Sequence, residues 1–489
     1  MRDTRVADRA SSPKADRLES GKLGVLDIVF FVVAAAAPLT VMAGVAPFAI
    51  QFNGLGAPGG YVFAGIVLTL FAVGFTAMSR HVENAGAFYA YIARGLGKPM
   101  GVGAALLAVF SYNAIGIGLV GAIATFASAT IEDLFGVASR WEIWAFLSIA
   151  IIGWLGYRRV TLSARVLGVA LALEVAIMLV LAVPVLLQGG AAGFVLGSFA
   201  PRNVFADGAG AVLVLSFAAF IGFEATAIYS EEARDSRRTV PRATYIAVGF
   251  LALFYTLITW TIIVAFGPER ILSVAQNDPE GMFFTATTDY VGRWANVVMR
   301  VLIVTSAFAA ALAFHNSAAR YFYALGRERV LPAALGKTHP TTHSPWVGSL
   351  TQTALAVIVV AGFALAGADP YLQLFFWTNG PGILGFMVLW VLCSLAVIGF
   401  FWNERRGAST WQSLVAPALA FAGLLFAGVL MVIKFDLFTA AGGTINAFLI
   451  AFVPVFFVAG VVRALQLRRG DPATYRTLTT TNAERDPDG

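Results

Sequence analysis

The sequence has little charge, one cysteine and few histidines. Of its 489 residues, 12% are charged, one is cysteine and four are histidine. Soluble domains carry about 25% charged residues, so this chain has too few polar groups to cover a soluble fold of its size. The single Cys393 cannot form a disulfide within the chain. The four histidines are scattered and have no partnering cysteines or carboxylates at metal-ligand spacing, so we expect no metal site and no cofactor.

Catalytic motifs are also missing from the sequence. It contains no glycine-rich nucleotide loop and no nucleophile constellation, which argues against an enzyme. It also lacks the continuous polar pore lining of a channel and the sizeable soluble domain of a membrane sensor, so those classes are less favoured. The net charge of +6 does not require nucleic acid, because basic residues confined to one side of a membrane explain it better.

What the sequence does have is long apolar runs. Hydrophobic residues make up 59% of the chain, and the mean hydropathy is +0.79. About 20 apolar residues span a bilayer as a helix. Twelve such runs predict an all-α integral membrane protein of about twelve transmembrane helices, in contact with the lipid bilayer. The runs are 25–50, 59–79, 99–130, 141–157, 162–187, 209–229, 243–266, 294–325, 346–366, 370–402, 411–433 and 445–467.

The placement of basic residues predicts the topology. The first twenty-odd residues are polar and contain no apolar signal-peptide core, so we expect the N-terminus to stay in the cytoplasm. With that orientation, 27 of the 33 Lys and Arg fall on the cytoplasmic side and 6 on the other. The positive-inside rule then places both termini in the cytoplasm, with the chain a multi-pass protein of the plasma membrane.

The first ten runs show a weak internal symmetry. Runs three and eight are both unusually long, and runs one and six each carry a helix-breaking interruption. Paired interruptions of this kind point to transporters built from inverted repeats. We therefore divide the chain into a cytoplasmic tail (1–24), a first five-helix repeat (25–187), an inverted second repeat (209–402), two additional helices (411–467) and a second cytoplasmic tail (468–489).

The two interruptions are the candidate substrate site. Pro38 lacks an amide hydrogen and frees carbonyls near the bilayer centre, and Gly222 can do the same in the sixth run. The ends of the half-helices would offer amides to a carboxylate and carbonyls to an ammonium, which suits the backbone of an amino acid. A proline kink that only shapes packing is the alternative for Pro38.

Two carboxyls lie inside apolar runs, Glu224 just after Gly222 and Glu174 in the fifth run. An ionisable group at this depth costs at least about 2.5–3.5 kcal/mol and is a functional hypothesis by default. Burial disfavours the charged form, so Glu224 is a candidate to exchange a proton near neutral pH. The alternative for both is a carboxyl that only ties helices together. For Glu174, the sequence does not decide between a role in an ion site and such a structural bond.

The run 217–243 (FAAFIGFEATAIYSEEARDSRRTVPRA) resembles the sixth span and following loop of the amino acid–polyamine–organocation family of permeases. The stretch 319–332 (ARYFYALGRERVLP) resembles the end of that family's eighth span, and 84–91 (NAGAFYAY) its loop after span two. The similarity covers roughly residues 22–402.

The resemblance implies a leucine-transporter-type fold with a 5+5 inverted repeat and a defined set of site residues. Carbonyls around Pro38, Ala218 and Ile221 would hold an amine. Amides near Thr40, Val41 and Met42 would meet a carboxylate, and Glu224 stands at a proton-linked position. Ala218 occupies the place of a tryptophan in some relatives, so the aromatic that closes over the substrate would be one of three phenylalanines, Phe217, Phe220 or Phe223.

Together these features predict a secondary active transporter that takes up an amino acid or related amine by alternating access, coupled to protons, with sodium as the alternative coupling ion. The alternative function is that of an exchanger of amines, polyamines or amino acids. The sequence leaves open the side-chain selectivity, the coupling ion and the oligomeric state.

Overall fold

The computed structural model describes residues 23–82, 88–158, 164–230, 233–341, 344–402 and 407–479. Nearly all of the predicted tail 1–24, the end of the predicted tail 468–489 and residues 84–87 of the NAGAFYAY motif lie outside the described residues. Within the described residues the structure consists of helices, turns and one isolated bridge between Leu23 and Ala233.

Apolar composition makes the helices, and proline or glycine sets many of their ends. The long helix Lys98–Phe135 shows the pattern: Pro99 stands in its first turn, where no amide partner is needed, and Gly136 follows its last residue in the left-handed conformation with φ 67°. The Gly136 amide donates to Glu132 O at 2.9 Å and so closes the helix end.

The helices of the first half are numbered in chain order. They are α1 (Val25–Ala36), α2 (Pro38–Thr40, the π-helical turn Val41–Val45 and Ala46–Asn53), α3 (Ala57–Ser79), α4 (Phe88–Leu96), α5 (Lys98–Phe135), α6 (Trp141–Arg158) and α7 (Ala164–Gln188).

The second half follows the same order. Its helices are α8 (Ala209–Ala218), α9 (Ala225–Ile228), α10 (Ser236–Phe266), α11 (Ile271–Asn277), α12 (Met282–Tyr290), α13 (Arg293–Arg327), α14 (Trp346–Leu365), α15 (the π-helical turn Pro370–Phe375 and Phe376–Trp402), α16 (the π-helical turn Trp411–Val415 and Ala416–Ile433) and α17 (Gly443–Gly470).

Nine helical segments among the described residues are long and apolar enough to cross a membrane. The first of them, Val25–Ser79, contains the first two predicted runs as one continuous segment. The chain is therefore a multi-pass integral membrane protein, as its composition indicates. Helices α6 and α8 coincide with two further predicted runs but do not belong to the nine, so the number twelve and the inverted repeat stay predictions.

The broken helices lie at the centre of the bundle. Helix α1 packs against α7, α10 and α13, while α8 packs against α2 and α3. The long helix α5 runs beside α13 and α15. This arrangement surrounds the ends of α1, α2, α8 and α9 with other helices, so that irregular backbone at this depth is shielded from lipid.

Candidate functional site

The break between α1 and α2 is made by Ala37 and Pro38. Ala37 has φ 47° and ψ 67°, a left-handed conformation that is uncommon for a residue other than glycine. Pro38 then begins α2, where its missing amide hydrogen leaves no group unsatisfied. The Ala37 amide donates to Ala34 O at 3.1 Å, and Ala36 O accepts from the Tyr255 hydroxyl at 3.2 Å.

The break between α8 and α9 is made by Gly222. Its φ is 116°, which only glycine adopts readily. A Cβ atom added there would lie 3.2 Å from Ala35 Cβ and 3.4 Å from Ala36 N. The two breaks are therefore in direct contact, and residues 219–224 form a chain of tight turns, with Ile221 N donating to Ala218 O at 3.1 Å.

A cavity of about 70 Å³ lies between the two breaks. Its lining comes from both breaks and from α5, α13 and α15, together with Phe438. The lining residues are Ala35, Ala36, Ala37, Thr40, Val41, Val45, Ile115, Leu119, Leu215, Ala218, Ala219, Ile221, Ala310, Phe314, Phe375, Phe376, Asn379, Ile383 and Phe438.

The cavity lining is apolar except for two side chains, Thr40 and Asn379. The Asn379 amide donates to Phe375 O at 2.8 Å. The Thr40 hydroxyl is buried, with the residue 2% exposed, and has no hydrogen-bond partner among the described residues. A buried hydroxyl without a partner is costly, so Thr40 is a polar group in this cavity with its full hydrogen-bonding capacity left for a ligand.

Four of the ten predicted substrate-binding residues line the cavity: Thr40, Val41, Ala218 and Ile221. Pro38, Met42 and Gly222 shape the breaks from behind it, and the sulfur of Met42 accepts from the Thr259 hydroxyl at 3.6 Å.

The three predicted phenylalanines, Phe217, Phe220 and Phe223, are fully buried and pack elsewhere. Their ring partners are respectively Phe63, Tyr255 and the pair Phe71 and Trp390. The aromatic side chains on the cavity come instead from α13, α15 and Phe438.

The amides expected to meet a carboxylate are occupied by protein groups. Thr40 N donates to Ser306 Oγ at 3.4 Å, and Val41 N donates to Ala37 O at 2.9 Å. The hydroxyl of Thr40, rather than these amides, is the donor that faces the cavity.

Glu224 is completely buried at the second break. Its Oε2 accepts from Gly222 N at 2.9 Å and its Oε1 accepts from the Tyr112 hydroxyl of α5 at 3.1 Å. The carboxyl therefore joins the turn at Gly222 to a neighbouring helix. Tyr112 lies 112 residues from Glu224 in the chain, so the sequence alone does not indicate this contact.

Glu174 of α7 is 3% exposed and lies at the first break. Its Oε2 accepts from Ser306 Oγ of α13 at 2.7 Å and from Leu39 N at 3.4 Å. One buried carboxyl thus stands at each break, although neither lines the cavity. Both carboxyls satisfy backbone amides freed by the interruptions.

Short contacts hold α1 and α2 against their neighbours. On the α2 side, the Tyr371 hydroxyl of α15 donates to Gly44 O at 2.7 Å. On the α1 side, the rings of Phe31 and Tyr229 stack at 5.2 Å, the Arg320 guanidinium lies 4.8 Å from the Tyr229 ring, and Arg234 N donates to Leu23 O at 3.0 Å. These contacts tie the two broken helices to α15 and to the segment that follows α9.

Comparison with known proteins agrees with this architecture. The sequence model of a family described as amino acid permease matches residues 23–461. Similar proteins are the low-affinity putrescine importer PlaP of Escherichia coli, 24% identical over 77% of this chain and 80% of that protein, and the branched-chain amino acid permease BcaP of Lactococcus lactis, 23% identical over 77% and 82%.

An uncharacterised transporter of Mycobacterium tuberculosis is 30% identical over 32% of this chain, and the match spans 34% of its length. These relatives are transporters and not enzymes.

Proposed function

Because the chain belongs to the amino acid permease family, we propose that it takes up an amino acid with an apolar side chain across the plasma membrane by alternating access, driven by proton symport. One observation carries the substrate class: the cavity between the breaks is apolar, with one unpartnered hydroxyl at Thr40.

The charge of the substrate decides between an amino acid and a diamine. The described lining residues carry no formal charge, and an unpaired charge in such surroundings is expensive. A diamine brings two positive charges separated by a carbon chain. An amino acid brings opposite charges on neighbouring atoms, which the helix ends can meet with the freed carbonyls of α1 and the Thr40 hydroxyl.

The rest of the cavity would receive the substrate side chain. Ile115, Leu119, Ile383 and Phe314 are apolar and come from three different helices. Burial of an aliphatic side chain among them supplies roughly 1.5–3 kcal/mol. A lysine or glutamate side chain would leave its charge without a partner there.

Proton coupling is assigned to the two buried carboxyls. Glu224 bridges the second break to α5, and Glu174 ties the first break to α13. A change in protonation changes which hydrogen bonds each carboxyl makes, and so favours one arrangement of the broken helices over another. The relative named as a putrescine importer supports uptake of an amine as the second candidate.

Transport into liposomes tests the proposal. The purified protein is reconstituted and offered labelled leucine, lysine or putrescine under an inward proton gradient, an inward sodium gradient or neither. We expect leucine accumulation with the proton gradient, abolished by a protonophore. Preference for putrescine would contradict the substrate class, and uptake that requires internal amino acid would identify an exchanger.

A matched pair of variants tests the Thr40 hydroxyl. Thr40→Val keeps the shape and removes the donor, so we expect leucine affinity to fall about tenfold. Thr261→Val is the control, because the Thr261 hydroxyl bonds to Leu257 O of its own helix at 2.8 Å. Equal affinity in both variants would show that Thr40 does not contact substrate.

We further propose that both termini and the loop at 230–236 face the cytoplasm, from the distribution of basic residues. In a variant without Cys393, an impermeant thiol reagent on whole cells should label Asp207→Cys and leave Asp235→Cys unlabelled. Both residues are exposed. The opposite pattern would reverse the topology.

A further inference from the structure

A basic recess lies at one end of the bundle and shares no residue with the lining of the substrate cavity. It forms where α3 ends, α10 begins and the π-helical turn of α16 begins. Two adjoining cavities of about 390 Å³ each share Arg80 and Arg237, and the second is completed by Arg238 and Arg242. The first also includes His81. We call this set of five residues the arginine recess.

The arginine recess concentrates positive charge that calls for an anion. Its described lining contains four guanidinium groups and no carboxylate. Asp235 Oδ2 lies 3.6 Å from Arg238 Nε, with both side chains more than half exposed. The N-terminus of the 31-residue helix α10 adds its own positive end to the same place. Arg80, Arg238 and Arg242 can bind an anion with several oxygens, because guanidinium groups match phosphate in geometry.

The face of α10 below the arginines indicates the source of that anion. Arg238, Arg242, Ile246 and Leu253 follow one another at helical spacing on one face. Ile246 is 46% exposed and Leu253 is 76% exposed. Gly249 lies between them with open space at its Cβ position. We call this row of four residues the α10 stripe. It changes from cationic to apolar along a single exposed helix face.

The dimensions of this stripe fit a phospholipid. Arg242 and Leu253 are separated by about 16 Å at 1.5 Å per residue, which is close to half of the ~30 Å hydrocarbon thickness. Trp402 and Trp411 lie at the same end of the bundle and are 73% and 48% exposed, as is typical of the membrane interface. The arginine recess is thus at the level of lipid headgroups, and the apolar stripe is at the level of acyl chains.

We propose that the arginine recess binds the phosphate headgroup of an anionic phospholipid, with an acyl chain lying along Ile246, Gly249 and Leu253 of α10. A soluble phosphate shares the headgroup chemistry but gains nothing from the apolar stripe. The bound lipid would join the ends of α3, α10 and α16 through one headgroup. This site is separate from the transported substrate and does not depend on which amino acid is carried.

Native mass spectrometry of the purified full-length protein tests the proposal, with phosphatidylglycerol or phosphatidylcholine added in detergent. We expect phosphatidylglycerol to bind about tenfold or more tightly than phosphatidylcholine. Arg80→Gln/Arg242→Gln should lose this preference. Arg468→Gln/Arg469→Gln is the control, since it removes two exposed arginines at the end of α17, and it should keep the preference.

Three further results decide the proposal. Millimolar inorganic phosphate should not displace phosphatidylglycerol, and displacement would instead identify a soluble-anion site. Ile246→Ser/Leu253→Ser, which leaves the charges in place, should weaken phosphatidylglycerol a few-fold. Equal binding of the two lipids by the unaltered protein, or an unchanged preference in the arginine variant, would overturn the site. If the double arginine variant does not fold, Arg242→Gln alone must lower the preference at least threefold for the proposal to stand.

Discussion

The two breaks at the centre of this bundle look equivalent in the sequence but are built differently. The first is imposed by Pro38, preceded by Ala37 at φ 47°; holding a residue other than glycine in this region costs of order 1–3 kcal/mol. The second depends on Gly222 at φ 116°, where glycine carries no such strain. Pro38 therefore interrupts the helix at the first break whatever surrounds it, whereas the second break relies on the backbone freedom of glycine.

The carboxyls at the breaks differ in the same way. Glu224 is two residues from Gly222 and bonds to its amide, so the second break carries its own carboxyl. The first break has none nearby in the chain and receives Glu174 from α7, with Ser306 from α13. The second break is locally complete, while the first depends on how three helices are placed. A movement of α7 or α13 would therefore change the hydrogen bonds at the Pro38 break before those at the Gly222 break.

The largest expected effect is at Gly222. Gly222→Leu places a side chain against Ala35 and Ala36 in a backbone conformation that leucine rarely adopts. We expect substrate binding to be lost below detection while the protein still inserts, measured by ligand-induced thermal shift on purified protein. Gly362→Leu is the control, because its Cβ position on α14 is open. Binding by Gly222→Leu at the level of this control would show that the second break does not form the site.

A second test separates the two carboxyls. In Glu224→Gln, the amide oxygen can still accept from Gly222 N and the amide nitrogen can donate to the Tyr112 oxygen, so the contacts are kept while proton exchange is lost. We expect leucine counterflow to persist, with loss of accumulation under a pH gradient and of the pH dependence of uptake between about 5 and 8.

Glu174→Gln in the same assay sharpens the comparison. It keeps an oxygen for Ser306 and Leu39, so a purely structural Glu174 predicts normal proton-driven accumulation. If Glu174→Gln abolishes accumulation and Glu224→Gln does not, the coupling role belongs to the first break.

The features that could be predicted from the sequence are those that depend on residues close together in the chain. Apolar runs, the break at Pro38, the break at Gly222 and the carboxyl at Glu224 are all local signals, and helices stand where the runs predicted them. The partners of Glu174 could not be predicted, because Leu39 and Ser306 are 135 and 132 residues away in the chain.

The orientation of the side chains around the second break could not be predicted from the sequence either. Residues 219–224 form tight turns instead of a helix, so helical spacing does not indicate which of their side chains meets the cavity. The expectation of Phe217, Phe220 or Phe223 rests on the family resemblance at Ala218, whereas Phe314 and Phe376 line the cavity from helices 90 or more residues further on.

A smaller effect is expected at Ser306, which tests whether the first break depends on α13. Ser306 Oγ donates to Glu174 and accepts from Thr40 N, so Ser306→Ala leaves both groups short of a partner. A loss of about 1–3 kcal/mol corresponds to roughly 5- to 150-fold in transport rate or affinity. Ser317→Ala, on the same helix and also buried, should transport normally. Equal rates for the two variants would mean that the first break is held by Pro38 alone.

The smallest expected effect concerns the loop that covers the α2 half of the first break, a feature the second break lacks. Helix α11 packs on α2, and Glu280 lies in the turn between α11 and α12. Burial raises the pKa of Glu280 to about 7, and the negative charges of Asp369 and Asp278 act in the same direction. Asp369 accepts from Tyr371 N at 2.8 Å, and the Tyr371 hydroxyl donates to Gly44 O of α2. A negative charge on Glu280 therefore develops close to this contact between α15 and α2.

Since the pKa of Glu280 is higher in the folded protein than the ordinary value of 4.5, folding favours the protonated form. Its contribution to stability is complete at acidic pH and is lost as the pH rises from about 4.5 through 7. Glu280→Gln cannot ionise, so its melting temperature should match that of the unaltered protein at pH 4.5 and exceed it at pH 8 by about 1–2 °C. Asp207→Asn removes an exposed loop carboxyl and should give the same difference at both pH values. A stabilisation by Glu280→Gln that is equal at pH 4.5 and 8 would show that ionisation of Glu280 does not loosen the loop over the first break.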